Sequence, residues 1–400
     1  MKRAMRYSML LSVVAVAGYR LGITEDRPTP QPDAATISPP AADDPAKRGS
    51  PNDDWPLFRG DACSTGTARG QLPDQLSVLW KFTVEKGAFE GTPVIADGVI
   101  YIGDLDGRIY AIDLQSGKSK WTYETNSGFL AAPAVADGRL YIGDYDGRFY
   151  CLDCREGKKL WEYESQAEID SGANFFGENV LFGSQDATLY CLNAKSGGLV
   201  WKHEIDDQIR CTPTIVEGRC FVAGCDGKLH IIDLHKGSEE ASVDIQAPTG
   251  VTPAALGSRV FFGTEGSTFF CVDWKKAEIA WTFSDEDSGQ AFRSSPAVTK
   301  QVVVVGGRNK RVHALDPDTG KERWRFAAKS RVDASPVIVG QRVFAASAAG
   351  RLFALDLETG RQMWEYETGG GFTGSPAVAS GRLIIANDDG VIYCFGTSEN

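Results

Sequence analysis

Between residues 80 and 396, apolar and polar side chains alternate with a period of two in short runs, and most runs end at a polar turn containing Gly. A period of two places successive side chains on opposite faces of an extended chain, so the runs predict β-strands. The stretch 130–164 shows the pattern, with strands expected over 130–136, 139–143, 148–153 and 158–164. Asp137-Gly138, Asp144–Gly147 and Arg155–Gly157 separate them. Asp-Gly between alternating apolar runs signals a hairpin, because Gly takes positive φ without a Cβ clash. No helical period is sustained over ten residues in any unit.

The pattern repeats. Tryptophans fall at 80, 121, 161, 201, 281, 324 and 364, with gaps of 41, 40, 40, 80, 43 and 40. One beat is missing near Ala241, and restoring it gives eight units. Proline follows most beats in phase (Pro93, Pro133, Pro213, Pro253, Pro296, Pro336 and Pro376), with Ala173 in that slot of the third unit. Four short strands per unit of about 40 residues, repeated eight times, predict an all-β, eight-bladed β-propeller. The last unit stops one strand short at Cys394-Phe395, and Trp80–Val84 is an orphan strand of the missing type. Pairing the two is expected to close the ring with the N-terminal strand and remove exposed sheet edges.

The run Ala314-x-Asp316-x-x-Thr319-Gly320-x-x-x-Trp324 resembles the tryptophan-docking motif of the pyrroloquinoline-quinone (PQQ) repeat propellers. It recurs as Ala354, Asp356, Thr359, Gly360 and Trp364, and as Ala111, Asp113, Ser116, Gly117 and Trp121. The resemblance implies that Trp80, Trp121, Trp161, Trp201, Trp281, Trp324 and Trp364 lock blades together, each indole packing on an Ala and a Gly turn of a neighbour. Ala241 replaces one Trp, and Ala277 replaces the Gly before Trp281, so two weak seams are expected.

Composition adjusts this picture at its ends. The 400 residues are 42% hydrophobic and 24% charged, as in ordinary globular chains. Residues 1–26 carry Lys2, Arg3 and Arg6, then an apolar run and Ala15-Val16-Ala17, which reads as an export signal or a short membrane anchor. Residues 27–54 are rich in Pro, Ala and Asp and read as a disordered tether. The propeller is expected over 55–396, starting at Trp55-Pro56-Leu57-Phe58, with 397–400 as a tail. A formal charge of −11 leaves no basic surplus for nucleic acid. The expected location is the periplasm or cell envelope, with membrane contact only through an uncleaved anchor.

Candidate chemistry is sparse. Cys151, Cys191, Cys271 and Cys394 share a third-strand slot that Ala111, Ala314 and Ala354 fill elsewhere, so they read as small core residues. Cys211 takes a slot matching Gly91 and Ala131, whereas spacing proves no pairing for Cys63, Cys154, Cys220 and Cys225. Asp104-x-Asp106-Gly107 and Asp144-x-Asp146-Gly147 resemble pieces of calcium loops, but two carboxylates fall short of the six to eight oxygens that Ca²⁺ takes. His230 and His313 fall in the slot of Tyr110 and Tyr150. No catalytic, metal-binding or cofactor-binding residue is nominated. The PQQ enzymes of the family imply the alternative, a PQQ- and calcium-dependent quinoprotein dehydrogenase. Against it stand the lack of an adjacent Cys pair and the short crossover loops, which leave little pocket wall.

One constellation remains. Four residues before the proline slot stand Phe89, Phe129, Ile169, Ile209, Thr249, Phe292, Val332 and Phe372. Three before it stand Glu90, Leu130, Asp170, Arg210, Gly250, Arg293, Asp333 and Thr373. Neighbours in a strand face opposite ways, so one ring should pack between blades and the other should face the axial channel. Glu90, Asp170, Arg210, Arg293 and Asp333 are therefore the candidate partner-binding ring. A small-ligand-binding propeller would instead need the phenylalanines outward. Within the family the chain is similar to the outer-membrane assembly factors of the BamB type, although no lipid-accepting Cys is visible. That similarity implies a non-enzymatic scaffold for a protein partner in the envelope.

Overall fold

The computed structural model describes residues 53–397. The signal or anchor, the tether up to residue 52 and the tail after 397 lie outside the described residues. Eight antiparallel four-stranded sheets form the blades of a propeller. Seven are built from consecutive strands: blade 1 over 94–124, blade 2 over 134–164, blade 3 over 174–204, blade 4 over 214–244, blade 5 over 254–283, blade 6 over 297–327 and blade 7 over 337–367. Blade 8 joins Ala377–Ala379, Arg382–Ala386 and Val391–Gly396 to the strand Ser77–Thr83, which pairs with Val391–Gly396 on the outer edge.

The two middle strands of each blade are almost wholly buried, whereas the outer strand alternates with a period of two. Asp97-Gly98 and Asp137-Gly138 form the inner hairpins with both residues at positive φ, which matches the strand twist. The innermost strand is shorter than expected. In blade 2 it is Ala134–Ala136, not 130–136. Pro133 has no N–H to give to a ladder, so pairing starts after it and the preceding residues form a lead into the blade.

The docking tryptophans join each blade to the next. Trp80, Trp121, Trp161, Trp281 and Trp324 donate their indole N–H to carbonyls of Leu114, Cys154, Ala194, Pro317 and Leu357. Their rings lie so close to the receiving turn that a Cβ on Gly117 would stand 2.6 Å from Trp80, and one on Gly360 2.5 Å from Trp324. Trp201 sits on Gly237 in the same way. Trp364 packs edge-on against Phe395.

The two expected weak seams are one seam. Because each indole docks on the following blade, the missing Trp at Ala241 in blade 4 and the missing Gly at Ala277 in blade 5 face each other in a single apolar cluster. Trp274 of blade 5 fills that gap against Phe221 of blade 4, and its N–H bonds the Gly257 carbonyl. A Trp off the 40-residue beat thus covers the place where one is missing.

Candidate functional site

The leads into the innermost strands build the axial channel. The residue four before the proline slot straddles two blades: the Phe129 N–H donates to the Asp104 carbonyl of the preceding blade at 2.9 Å. Its ring lies where a Cβ on Gly103 would meet it at 2.5 Å. Phe89, Phe129, Phe292 and Phe372 are buried at 0–1% exposure. They lie between blades and offer no aromatic platform at the mouth.

The next residue faces the axis. Glu90, Leu130, Asp170, Arg210, Gly250, Arg293, Asp333 and Thr373 all line one cavity of about 190 Å³. The structure therefore brings all five charged candidates to one place. Below them a second ring is small and mostly hydroxylic. There the backbone N–H of Thr212 donates to the Thr252 hydroxyl, and Thr252, Ser295, Ser335 and Ser375 continue the relay to Thr92 at 2.9–3.1 Å. This belt satisfies buried amides while stitching blades 4, 5, 6, 7, 8 and 1 together.

The far end of the cavity is a floor that the repeat pattern does not announce. The segment 55–68 runs round the ring and bonds the innermost strands in turn. Trp55 exchanges two backbone bonds with Ile95, and carbonyls of Pro56, Ala62, Cys63, Thr65 and Gly66 accept from the N–H groups of Val135, Ile215, Ala255, Val298 and Ile338. In blade 3 the Asn174 amide reaches the Ala62 carbonyl. Phe58 lines the cavity base. Arg59, 1% exposed, turns its guanidinium onto the carbonyls of Pro296, Ser335 and Pro336, and burial pushes its pKa down to about 9. Asp53 and Asp54 extend these contacts by accepting from the N–H groups of Ser380 and Asp97. Innermost strands are sheet edges, and this segment pairs the groups that the edges leave open. The only sequence signals for it are the apolar cluster at 55–58 and the glycines at 60 and 66, both at positive φ.

At the open mouth the charged ring is extended by residues that the alignment on proline does not reach. They come from the turns after the second strands and from the lead two residues further out. The Gln185 amide donates to Glu168 and Asp170 at 2.6 and 2.7 Å and accepts from Arg210 at 3.1 Å, bridging acid and base. Burial raises the pKa of Asp170, and one of its oxygens is buried without a hydrogen-bond partner. Tyr145 is pushed up to about 12 by burial and by Glu90, Asp170 and Glu168. Across the mouth Arg293 pairs with Glu265 at 2.6 Å. Arg308 holds Asp333 with two nitrogens, and Arg331 adds a third contact at 3.3 Å. A turn-register alignment would have found Gln185, Glu265 and Arg308.

The remaining candidates are structural. The Asp104 carboxylate is consumed by the N–H groups of Asp106 and Arg108 and by the Tyr110 hydroxyl, and Asp144 repeats the arrangement with Tyr150. His230 and His313 occupy the tyrosine slot, with His230 set between Asp226 and Glu239 and His313 between Asn309 and Glu322. Cys151, Cys191, Cys211, Cys271 and Cys394 are buried thiols, and Cys220 joins them.

A family model described as outer membrane protein assembly factor BamB matches residues 73–282 and 152–399. BamB from Moraxella catarrhalis superposes with a TM-score of 0.69 at 18% identity, over 82% of this chain and 99% of its own. A quinohemoprotein alcohol dehydrogenase from Comamonas testosteroni superposes with a TM-score of 0.72 at 16% identity, over 87% and 81%. At such identities the likeness is one of fold. A quinoprotein ethanol dehydrogenase of Pseudomonas aeruginosa is 30% identical over 133 residues, 28% of this chain and 21% of its own. The chain spans less than a quarter of the length of the curated relatives it matches.

Proposed function

The chain belongs to the family of outer membrane protein assembly factor BamB, and from that premise we propose that it is a non-enzymatic, exported scaffold that binds a protein partner in the cell envelope. The observation that carries this reading is the cup: a ring of charges of both signs around a cavity floored by the chain itself. Rigid strands hold these groups and short loops present them, which suits docking of another chain. Assembly of outer-membrane proteins is the process in which the partner is expected.

The quinoprotein relatives supply the second reading, which the residues present support less. A tricyclic quinone needs stacking surface; the four channel phenylalanines are buried between blades, which leaves Phe58 at the cavity base and Tyr145 at the mouth. Asp333 is held by arginines, Asp104 and Asp144 by amides and tyrosines. Among the described residues no three His, Cys, Asp or Glu side chains are grouped to hold a metal.

Two measurements test the proposal. A photo-crosslinking residue at Thr373, on the mouth, is expected to capture one envelope protein that the same residue at Thr122, on an outer strand, does not. Equal labelling from both positions overturns the reading. Dye-linked alcohol oxidation after incubation with PQQ and Ca²⁺ is expected to stay at background, and turnover overturns the non-enzymatic role.

A further inference from the structure

The charges at the mouth are sorted by position. Blades 1 to 3 carry Glu90, Glu168 and Asp170 and no basic residue at the lead and turn positions facing the axis. Glu90 and Asp170 line the cavity on either side of Leu130, and Glu168 shares the Gln185 amide with Asp170. Blades 4 to 7 carry Arg210, Arg293, Arg308 and Arg331. The carboxylates on that side are already taken, Glu265 by Arg293 and Asp333 by Arg308 and Arg331. Arg210 donates to the amide oxygens of Gln185 and Gln208, and Gln185 links it to Asp170. Gly250 puts no side chain between Arg210 and Arg293, and the Arg210 stem packs over it, a Cβ there standing 3.1 Å from the Arg210 Cβ.

Resting on the scaffold reading above, we infer that the cup receives a loop or chain end of a partner protein whose acidic and basic residues are segregated. Its acidic part lies over Arg210 and Arg293, and its basic part over Glu90 and Asp170. The floor fixes the mode of entry. Residues 55–68 bond strand after strand across the far end, so a segment docks from one face and is not threaded through. A uniformly acidic chain, nucleic acid included, meets the carboxylates of blades 1 to 3, and a uniformly basic one meets the arginines. Like charges brought together suppress wrong partners, so the sorted mouth selects by sign and orientation.

The test uses the exported chain and fluorescent synthetic peptides of equal length and composition type: acidic-then-basic, the same residues scrambled, all-acidic and all-basic. Anisotropy is expected to show tightest binding for the segregated peptide, weakening with salt. Arg210→Glu with Arg293→Glu, and separately Glu90→Lys with Asp170→Lys, should each weaken it by about tenfold. Reversing all four should restore binding, because the peptide then docks end for end. Retained secondary structure and unfolding midpoint identify variants that fold, and Arg210→Gln with Arg293→Gln serves if the reversals do not. Equal binding of segregated and scrambled peptides, or no recovery in the fourfold variant, overturns the sorted-charge inference. If Thr373 crosslinking still captures its partner in that case, the scaffold reading stands alone; if the mouth-specific adduct is absent as well, both fall.

Discussion

Trp274 lies against Phe221 with ring centroids 5.5 Å apart and planes at 58°, so the blade without its own docking indole is covered by one from the following blade. In the other blades the equivalent contact is internal, as between Tyr101 and Trp121 or Phe261 and Trp281. The seam between blades 4 and 5 has exchanged the side from which its tryptophan comes.

That exchange is testable by restoring the repeat. Trp274→Ala should cost about 2–3 kcal/mol, less than a fully buried Trp because the ring is partly exposed. Ala241→Trp alone should also destabilise, because Trp274 and the Ala277 side chain occupy its place. The triple change Ala241→Trp, Ala277→Gly, Trp274→Leu should recover most of the loss. Urea unfolding midpoints check the order.

At a regular seam, Gly157→Ala should cost about 2 kcal/mol or more. The new Cβ would stand 2.6 Å from Trp121, and the residue has a φ of 67°. Gly138→Ala is the control. Its φ is 71° but nothing lies within 4 Å of the added Cβ, so it should cost only the backbone strain, about 1 kcal/mol. The difference between the two midpoints measures the packing against the indole.

Arg59 fastens the floor. Arg59→Ala removes the donor that three buried carbonyls share, and should cost about 3 kcal/mol. Arg59→Lys keeps a charge but not the fork, and should fall between. Amide exchange of Val298 and Ile338, which donate to the floor, should speed up more than exchange in the outer strands. Uniform acceleration everywhere would show that the floor is not a separate element.

His313 sets an acid limit. It is fully buried, with Nδ1 facing Glu322 and Nε2 facing the Asn309 amide, and burial outweighs Glu322 in lowering its pKa. A histidine held below its unfolded value binds its proton first in the unfolded chain. Its contribution is therefore complete above the unfolded value of about 6.5 and lost as pH falls below it. His313→Tyr, the residue of this slot in blades 1 and 2, should flatten the stability profile below about pH 6.5. An unchanged profile would remove His313 from the account.

Much of the fold was legible because a repeat states the same instruction eight times. The 40-residue Trp beat, the Pro slot and the Asp-Gly turns specify strand count and order, and the offsets of three and four residues from proline separate the rings of Glu90 and Phe89. The length of the innermost strand was misjudged, since a short apolar run leading into Pro133 reads like a strand. Gln185, Glu265 and Arg308 fall outside the proline-slot pattern because they sit in a different register of the repeat. Residues 55–68 were unreadable because their bonds are made by backbone groups, to strands up to about 270 residues away, and leave no periodic trace.

The sequence by itself determined the eight blades, the buried cysteines and tyrosine-slot histidines, and that two adjacent rings of side chains face opposite ways at the channel. These follow from local alternation, turn chemistry and a fixed period, all short-range properties. Only the tertiary structure decided that Ala241 and Ala277 face one another, that Trp274 covers the gap, that the channel has a floor, and that Gln185, Glu265 and Arg308 join the charged ring at its mouth. Those features arise when the ring brings distant residues together, and no window along the chain contains both partners.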